Sequence, residues 1–588
     1  MSSKLHYTDA ANTQVLLALL KAHGIRRVVA NPGTGNIPFV GSVQNDPYFT
    51  VYSGIDERHS AYLACGMAYE SREPVVLSCT GATASRNYLP ALTEAFYRKI
   101  PILAVTSLAP FENVGNLFPQ MIDRSVLPKD TVRMSVSCPA FKMGDDRSFR
   151  NCQLTLNKAI LELFRNGGGP VHINLENNYE GTFNTLQLPQ VRKIERYNCY
   201  SESLPPIPTS ARVVVWVGSH KPFSSRERNS IEAFAKSRNA AVFCDSTSSY
   251  DGECKVNPAL VLAQQGVKKN PKYNELLPTV VVHIGEVSGD YNTMVGMFGV
   301  APVWRVSEDG DIKDVTGNLV KVFEMSESHF FNAYTLEESP APTYSRAWNE
   351  ADVALRKAVP ELPFSNHWIA RRAAPLVPDG AILHLGIVNT LRNWNYFLRN
   401  SNVKSTCNVG GFGIDGGVSS LIGASLVNRD VKCFGVFGDL SFFYDLNALG
   451  NRHLQSNVRI LMVNNGCGGE FNLYINGGSQ FGEHANDYIA AGHHFGDKSR
   501  TVVKAYAEAL GFAYMSAVSK EEFDSHVDSF FNGDFDRPVV FECFTNANDE
   551  SAALKLINSV DPYVSLKGEI ASYMPSAMKA TILKFYKK

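Results

Sequence analysis

Apolar residues along this chain fall in short unbroken runs, separated by longer stretches in which they recur every three or four positions. Runs bounded by turn residues read as strands buried on both faces, and the longer period reads as amphipathic helix. Val15–His23 carries the helical period, Arg27–Ala30 reads as a strand, Asn31–Asn36 (NPGTGN) as a turn, and a helix follows from about Ile37. Phe49–Tyr52, Pro74–Ser78, Ile102–Val105 and Val171–Leu175 read as further strands, with a helix through Glu94–Phe96. A second alternating series holds Arg212–Gly218, Ala241–Cys244 and Thr279–Gly285. A third opens on a helix around Trp368–Pro375 and carries strands at Ala381–Leu385, Val431–Phe437 and Arg459–Val463.

This alternation predicts an α/β protein built of three doubly wound parallel-sheet domains. Proline-bearing linkers at Ser203–Pro208 and Glu337–Pro342 set the expected boundaries: 1–195, 205–340 and 355–548, followed by a helical tail, 549–588. The 588 residues exceed what one hydrophobic core supports, in keeping with several domains. A net charge of −1 argues against a nucleic-acid-binding surface. No apolar run reaches the roughly 18 residues that span a bilayer, and Val15–Leu20 lacks the flanks of a signal peptide. The eleven cysteines show no CxxC or Cys/His spacing, and Cys65, Cys79 and Cys433 sit in apolar segments. That pattern fits reduced thiols and a cytoplasmic location.

The chemistry concentrates in Gly438-Asp439-Leu440-Ser441 and, 26 residues after Asp439, Asn465 in Asn464-Asn465-Gly466-Cys467-Gly468. Each stretch directly follows an expected strand, so both lie at the carboxyl ends of neighbouring parallel strands, where α/β sheets bind ligands. Mg²⁺ takes near-octahedral oxygen ligation, mostly from one or two protein groups and a phosphate ligand. The Asp439 carboxylate, the Asn465 amide oxygen and the main-chain carbonyl of Cys467 supply three such oxygens. Gly438 admits close backbone approach, and the Ser441 hydroxyl can donate to phosphate.

This spacing resembles the diphosphate-binding motif of thiamine-diphosphate (ThDP)-dependent enzymes. The wording Asp445-Leu446-Asn447-Ala448-Leu449 and Asn408–Ser419 (NVGGFGIDGGVS) resembles the MenD (SEPHCHC synthase) branch. The resemblance implies ThDP and Mg²⁺ as cofactors, and a homodimer or homotetramer with active sites between subunits. It implies Glu57 as the carboxyl group that acts on the cofactor's aminopyrimidine, since ThDP must lose a proton to become nucleophilic. Ile414 then props the cofactor into its bent shape, and the carbonyl of Phe412 accepts from its amino group. Asn389, Thr390, Leu440 and Gly468 flank the diphosphate. Thr80, Gly81 and Asn87 line the first domain's side, and Gln120 is the site glutamine. Gly285–Gly289 is too weak a signal to place a flavin in the middle domain.

The pattern departs from that branch where arginines bind a polyanionic acceptor and 2-oxoglutarate. Thr34-Gly35, Leu108-Ala109-Pro110, Asp290-Tyr291 and Val409 stand at four such places, leaving Arg392, Arg86 and Lys129 as substitutes. The expectation is therefore a ThDP-dependent transferase or lyase, a carboligase or decarboxylase. It acts on a 2-oxo acid donor and passes the acyl carbanion to a keto sugar or aldehyde, with Thr34, Gly35, Asn36 and Arg392 facing the substrate. An acetolactate synthase-like enzyme or simple decarboxylase is the alternative. A true SEPHCHC synthase or a non-catalytic paralogue ranks lower, and a nicotinamide oxidoreductase lower still, because no GxGxxG follows the first strand.

Overall fold

The computed structural model describes residues 6–563, apart from 109, 178–180 and 339. Most of the expected 549–588 tail, and Ala109, lie outside the described residues; within the tail, the helix Ala547–Asn558 is described. Dense internal contacts divide the chain into two units. One runs to Tyr197 and takes in Ile312–Val322; the other holds Asn198–Asp311 and the chain from Phe323.

The first unit is built on a six-stranded sheet in the spatial order Thr50–Ser53, Arg27–Ala30, Val75–Thr80, Ile102–Leu108, Val171–Glu176, Met134–Cys138. Every neighbouring pair is parallel. The central strand Val75–Thr80 is buried through its first five residues, which is why it reads as an unbroken apolar run. Helices Ala11–Ala22 and Asp146–Glu162 cover one face, where Val15, Leu16, Leu19, Leu156 and Ile160 are wholly buried. Helices Glu57–Ser71 and Leu89–Tyr97 cover the other through Ala61, Ala64, Ala91 and Ala95. Small side chains there let the helices lie close to the sheet.

In the second unit Lys255–Val256, Ala241–Cys244, Val213–Val217, Val280–Ile284 and Val303–Ser307 run side by side, all parallel. A separate six-stranded sheet follows in the order Lys404–Thr406, Ile382–Leu385, Cys433–Gly438, Val458–Asn464, Val539–Phe544, Ala513–Ala517, again parallel throughout. The chain thus builds three parallel-sheet α/β layers. The first and last sheets share one topology: the second strand lies outside the first, and the third lies on the first strand's other side. The order reverses between first and third strands, and α/β sheets bind ligands outside the carboxyl ends at that reversal. The topology therefore marks two crevices. One lies after Arg27–Ala30 and Val75–Thr80, the other after Ile382–Leu385 and Cys433–Gly438.

The cysteines are free, and ten of the eleven are buried, Cys65, Cys79 and Cys433 among them. No helix among the described residues is long and apolar enough to cross a membrane.

Candidate functional site

At the crevice of the last sheet, strand Cys433–Gly438 passes straight into the short helix Asp439–Tyr444. Asp439 is 4% exposed. Its oxygens accept from the main-chain N–H of Leu440 at 2.9 Å and of Gly466 at 2.7 Å. Burial pushes its carboxyl up to about 7, partly offset by those N–H groups. Among the described residues it forms no ion pair, so a buried carboxylate faces the crevice without a cation. Such a charge is costly unless paired or bound to a metal, and the donor set fits a hard divalent cation.

Gly466 joins the two halves of the motif, because its N–H donates to Asp439 and its φ of +80° turns the chain. The side-chain oxygen of Asn465 accepts from the Cys467 N–H at 3.2 Å and from the Cys467 thiol at 3.6 Å, so a metal would take the place of the weak thiol contact. The Cys467 thiol is buried, pushed up to about 11 by desolvation, and accepts from Asn472. Its sulfur is thus a protonated wall atom, and the main-chain carbonyl is the group that can ligate. The Gly468 N–H is committed to the Ala490 carbonyl at 2.6 Å.

Behind this turn, Asn464 donates to the Glu542 carboxylate at 2.7 Å, and Tyr514 donates to its other oxygen at 2.7 Å. Burial raises the Glu542 carboxyl above the usual carboxylate range. Removing either partner strands a buried acceptor, at about 1–3 kcal/mol. Asn464→Ala is expected to lower the unfolding free energy measured in urea by that amount, and an unchanged midpoint would show that the triad carries no stability.

One expectation needs correction here. The Ser441 hydroxyl donates to the carbonyl of Ile414 at 2.6 Å, so it cannot at the same time donate to a phosphate. It ties the partly buried Ile414 to the Asp439 helix instead. Phe412, two residues earlier, holds φ +57°, a strained left-handed geometry for a bulky residue. Ser419 is fixed to Asp445 through its N–H at 2.6 Å and its hydroxyl at 2.7 Å.

The strand Ile382–Leu385 leads into helix Asn389–Asn395 through Val388, at φ +73° and ψ −118°. Thr390 is buried and accepts from Asn366 at 3.2 Å. Asn389, with its amide oriented to suit its neighbours, donates to the Glu470 carboxylate at 2.6 Å and accepts from the Glu470 N–H at 3.0 Å. Arg392, one turn on, gives one N–H₂ group to both Glu470 oxygens at 2.9 Å each. Its guanidinium lies 4.5 Å from the centre of the Tyr291 ring, and that ring meets Phe412 edge-on at 6.3 Å. Sequence reasoning missed Glu470 and Tyr291. The signal for Glu470 was a carboxylate directly after the glycines of Gly466–Gly469. Asp290, at one of the places where the expected basic residues are absent, is buried and caps helix Tyr291–Met297 through Asn292 N–H and the Thr293 hydroxyl. Burial pushes its carboxyl up to about 6.

In the first unit Glu57 opens helix Glu57–Ser71, whose N-cap Asp56 accepts from His59 N–H at 2.8 Å. Asn87, closing helix Ala82–Asn87, donates to Glu57 at 3.4 Å. The turn before Glu57 is clamped by Asn31, which donates to the Gly54 carbonyl and to the Ser60 hydroxyl, both at 2.9 Å, and accepts from the Tyr88 hydroxyl at 2.7 Å. Asn31→Ala leaves two or three buried polar groups unpaired and is expected to cost about 2–4 kcal/mol in chemical denaturation.

Thr80 packs on the glycine turn, in contact with Gly33 and Gly35, so Thr80, Gly81 and Thr34 share one crevice. The Asn36 amide is buried and donates to the Asn31 carbonyl at 2.9 Å, so it does not face a substrate. Gln120 is exposed in a loop with φ +66°. Of the three substitutes for the absent arginines, Arg392 is paired with Glu470, Arg86 donates to the Asp123 carbonyl at 2.8 Å, and Lys129 is exposed.

Residues 12–127 match the family model for the thiamine pyrophosphate enzyme, N-terminal TPP binding domain. Across 572 residues the chain is 30% identical to a 2-succinyl-5-enolpyruvyl-6-hydroxy-3-cyclohexene-1-carboxylate synthase of Bacteroides thetaiotaomicron, covering 93% of this chain and 98% of that one. The enzyme of the same name from Bacteroides fragilis is 30% identical over 570 residues with the same coverage, and that from Christiangramia forsetii 27% over 586. These names overturn the expected keto-sugar or aldehyde acceptor and the acetolactate synthase-like alternative. The expectation leaned on four absent arginines, and four positions weigh less than likeness over nearly the whole chain. The site thus rests on a ThDP-binding framework, and the chain belongs to the 2-succinyl-5-enolpyruvyl-6-hydroxy-3-cyclohexene-1-carboxylate synthase family of thiamine-diphosphate-dependent enzymes.

Proposed function

We propose that this chain is a ThDP- and Mg²⁺-dependent synthase that joins the acyl carbanion of a decarboxylated 2-oxo acid to a cyclic carboxylate acceptor, the reaction for which its relatives are named. The observation that carries the proposal is the end-to-end likeness to enzymes of that name, from three organisms. The geometry supports the cofactor requirement through the unpaired buried carboxylate of Asp439.

Asp439, the Asn465 side-chain oxygen and the Cys467 carbonyl hold Mg²⁺, which neutralises the diphosphate. Leu440, the main-chain N–H of Ser441, Asn389 and Thr390 would flank that diphosphate, and Gly438 and Gly468 would leave room for it. Bound ThDP supplies a thiazolium that stabilises a carbanion. Glu57, oriented by Asn87, would exchange a proton with the aminopyrimidine, and Thr80 and Gly81 would line its side of the site. Ile414 would support the bound cofactor, and the Phe412 carbonyl would accept from its amino group. Gln120, Thr34, Gly35 and Arg392 face the substrates.

Purified protein loaded with ThDP and Mg²⁺ should release CO₂ from 2-oxoglutarate and form the ring adduct when isochorismate is present, with neither product after chelation. CO₂ release with no adduct from this or any other cyclic carboxylate would reject the synthase reading.

The active sites are shared between subunits of a homo-oligomer. Glu57→Gln and Asp439→Ala chains, each inactive alone, should regain part of the activity after subunit exchange, because a mixed dimer holds one intact site. No recovery after exchange verified by mass spectrometry would place each site within one chain.

A further inference from the structure

The crevice holds one contact that the proposed chemistry leaves unexplained, the pairing of Arg392 with Glu470. Their contact is lopsided. One N–H₂ group of Arg392 serves both Glu470 oxygens at 2.9 Å, while the Nε–H is buried and has no acceptor. A guanidinium meets a carboxylate best through two parallel N–H bonds, and an orphaned buried donor costs about 1–3 kcal/mol. Glu470 thus fills the seat without satisfying it. The guanidinium is held in place by the Tyr291 ring at 4.5 Å, and Tyr291 in turn touches Phe412.

The pair also lies beside the candidate diphosphate and metal residues. Glu470 is bonded to Asn389, and a Cβ on the neighbouring Gly469 would lie 2.6 Å from the Asn465 amide. Glu470 rides on the short turn Gly469–Asn472, which is preceded by Gly468 and buries Gly469. The other side of this turn opens on a cavity of about 720 Å³ lined by Asn465, Gly466, Cys467 and Asn472.

Resting on the synthase reading, we propose that Arg392 is the residue that recognises a substrate carboxylate, and that Glu470 is a built-in carboxylate that occupies this seat until the substrate displaces it. The exchange keeps the guanidinium paired with one carboxylate throughout, and the incoming group can use the vacant Nε–H as well as the N–H₂ group. The carboxylate comes from either the far end of the 2-oxo acid donor or the ring acceptor. Each substrate has its own KM, and that distinguishes the two.

The test is steady-state kinetics of Arg392→Gln, Arg392→Lys and Glu470→Gln, with cofactor loading followed separately by the thermal shift that ThDP and Mg²⁺ produce. Arg392→Gln should raise KM about 10- to 100-fold for the carboxylate-bearing substrate that binds there, with cofactor loading retained. Arg392→Lys should recover part of this, since the charge stays and the fork is lost. Glu470→Gln should move the same KM the opposite way, lowering it several-fold, because the seat is no longer filled by an anion. In the donor arm, CO₂ release from 2-oxoglutarate is compared with that from 2-oxopentanoate, which lacks the distal carboxylate; only the former should respond if the donor is the source. If neither KM responds to Arg392→Gln, or if Glu470→Gln raises KM as Arg392→Gln does, the pair is a structural latch and the inference is overturned. Absence of adduct from the parent protein rejects the synthase reading instead, and competition by dicarboxylates in the CO₂-release assay then still reads the seat.

Discussion

Asp439→Ala is expected to abolish the thermal stabilisation that ThDP and Mg²⁺ give together, while leaving the metal-free fold intact. The carboxylate lies 4% exposed at the end of its strand and forms no ion pair among the described residues. Burial alone pushes it up to about 7, the mark of a charge that the fold pays to keep in place. On the proposed reading a divalent cation would restore the balance, and without the carboxylate the metal would lose its only anionic protein ligand. The diphosphate then meets less positive charge, so affinity falls for both. A ligand at 100 times its Kd stabilises a protein by about 2.7 kcal/mol, so the parent should show a clear rise in Tm and the variant little or none. In the metal-free state the substitution removes two acceptors, for Leu440 and Gly466 N–H, and also removes a desolvated carboxyl group. These effects oppose one another, and the metal-free Tm should change little. Equal stabilisation of parent and variant by cofactor and metal removes Asp439 from the metal site.

The parts of the fold legible in the sequence are those where strands are buried on both faces. Val75–Thr80, Val213–Val217, Cys433–Gly438 and Val458–Asn464 read as apolar runs because helices cover them on either side. The strands that escaped are of other kinds. Met134–Cys138 lies at a sheet edge and interleaves serines, and Ala513–Ala517 lies at the corresponding edge of the last sheet. Val539–Phe544 is central but carries Glu542, a carboxyl group that the pattern counts against burial and that Asn464 and Tyr514 satisfy. The shared topology of first and last sheets was invisible because strand order depends on crossovers and leaves no periodic trace. Asp439 and Asn465 were legible because a polar residue directly after a buried parallel strand has few places to go but the crevice. The direction of each hydroxyl and amide was not: Ser441 turned to Ile414, and Asn36 to Asn31. The acceptor was misread for another reason. Four absent arginines were weighed above likeness over nearly the whole chain, although Arg392 had been named among their substitutes.

Glu57→Gln should act on chemistry and leave binding nearly untouched. The carboxyl group stands in the first turn of helix Glu57–Ser71, at the carboxyl end of strand Thr50–Ser53, with Asn87 3.4 Å away to orient it. The turn that presents it is fixed by Asn31, Ser60 and Tyr88, so an isosteric amide should sit in the same place. Glutamine keeps the shape and one hydrogen bond, but it cannot pass a proton to the ring nitrogen. General acid–base contributions run to about 10²–10⁴-fold, and the loss should fall in that range. The readout is exchange of the cofactor's C2 proton for deuterium, followed by NMR after acid quench. It reports the proton transfer itself, before any substrate is needed. ThDP should still raise the Tm of the variant, because Asp439 and Asn465 are untouched. That combination, slow exchange with retained binding, separates a proton-transfer role from a structural one. Exchange at the parent rate would take Glu57 out of the mechanism. Slow exchange together with lost binding would make it a residue that holds the cofactor in place.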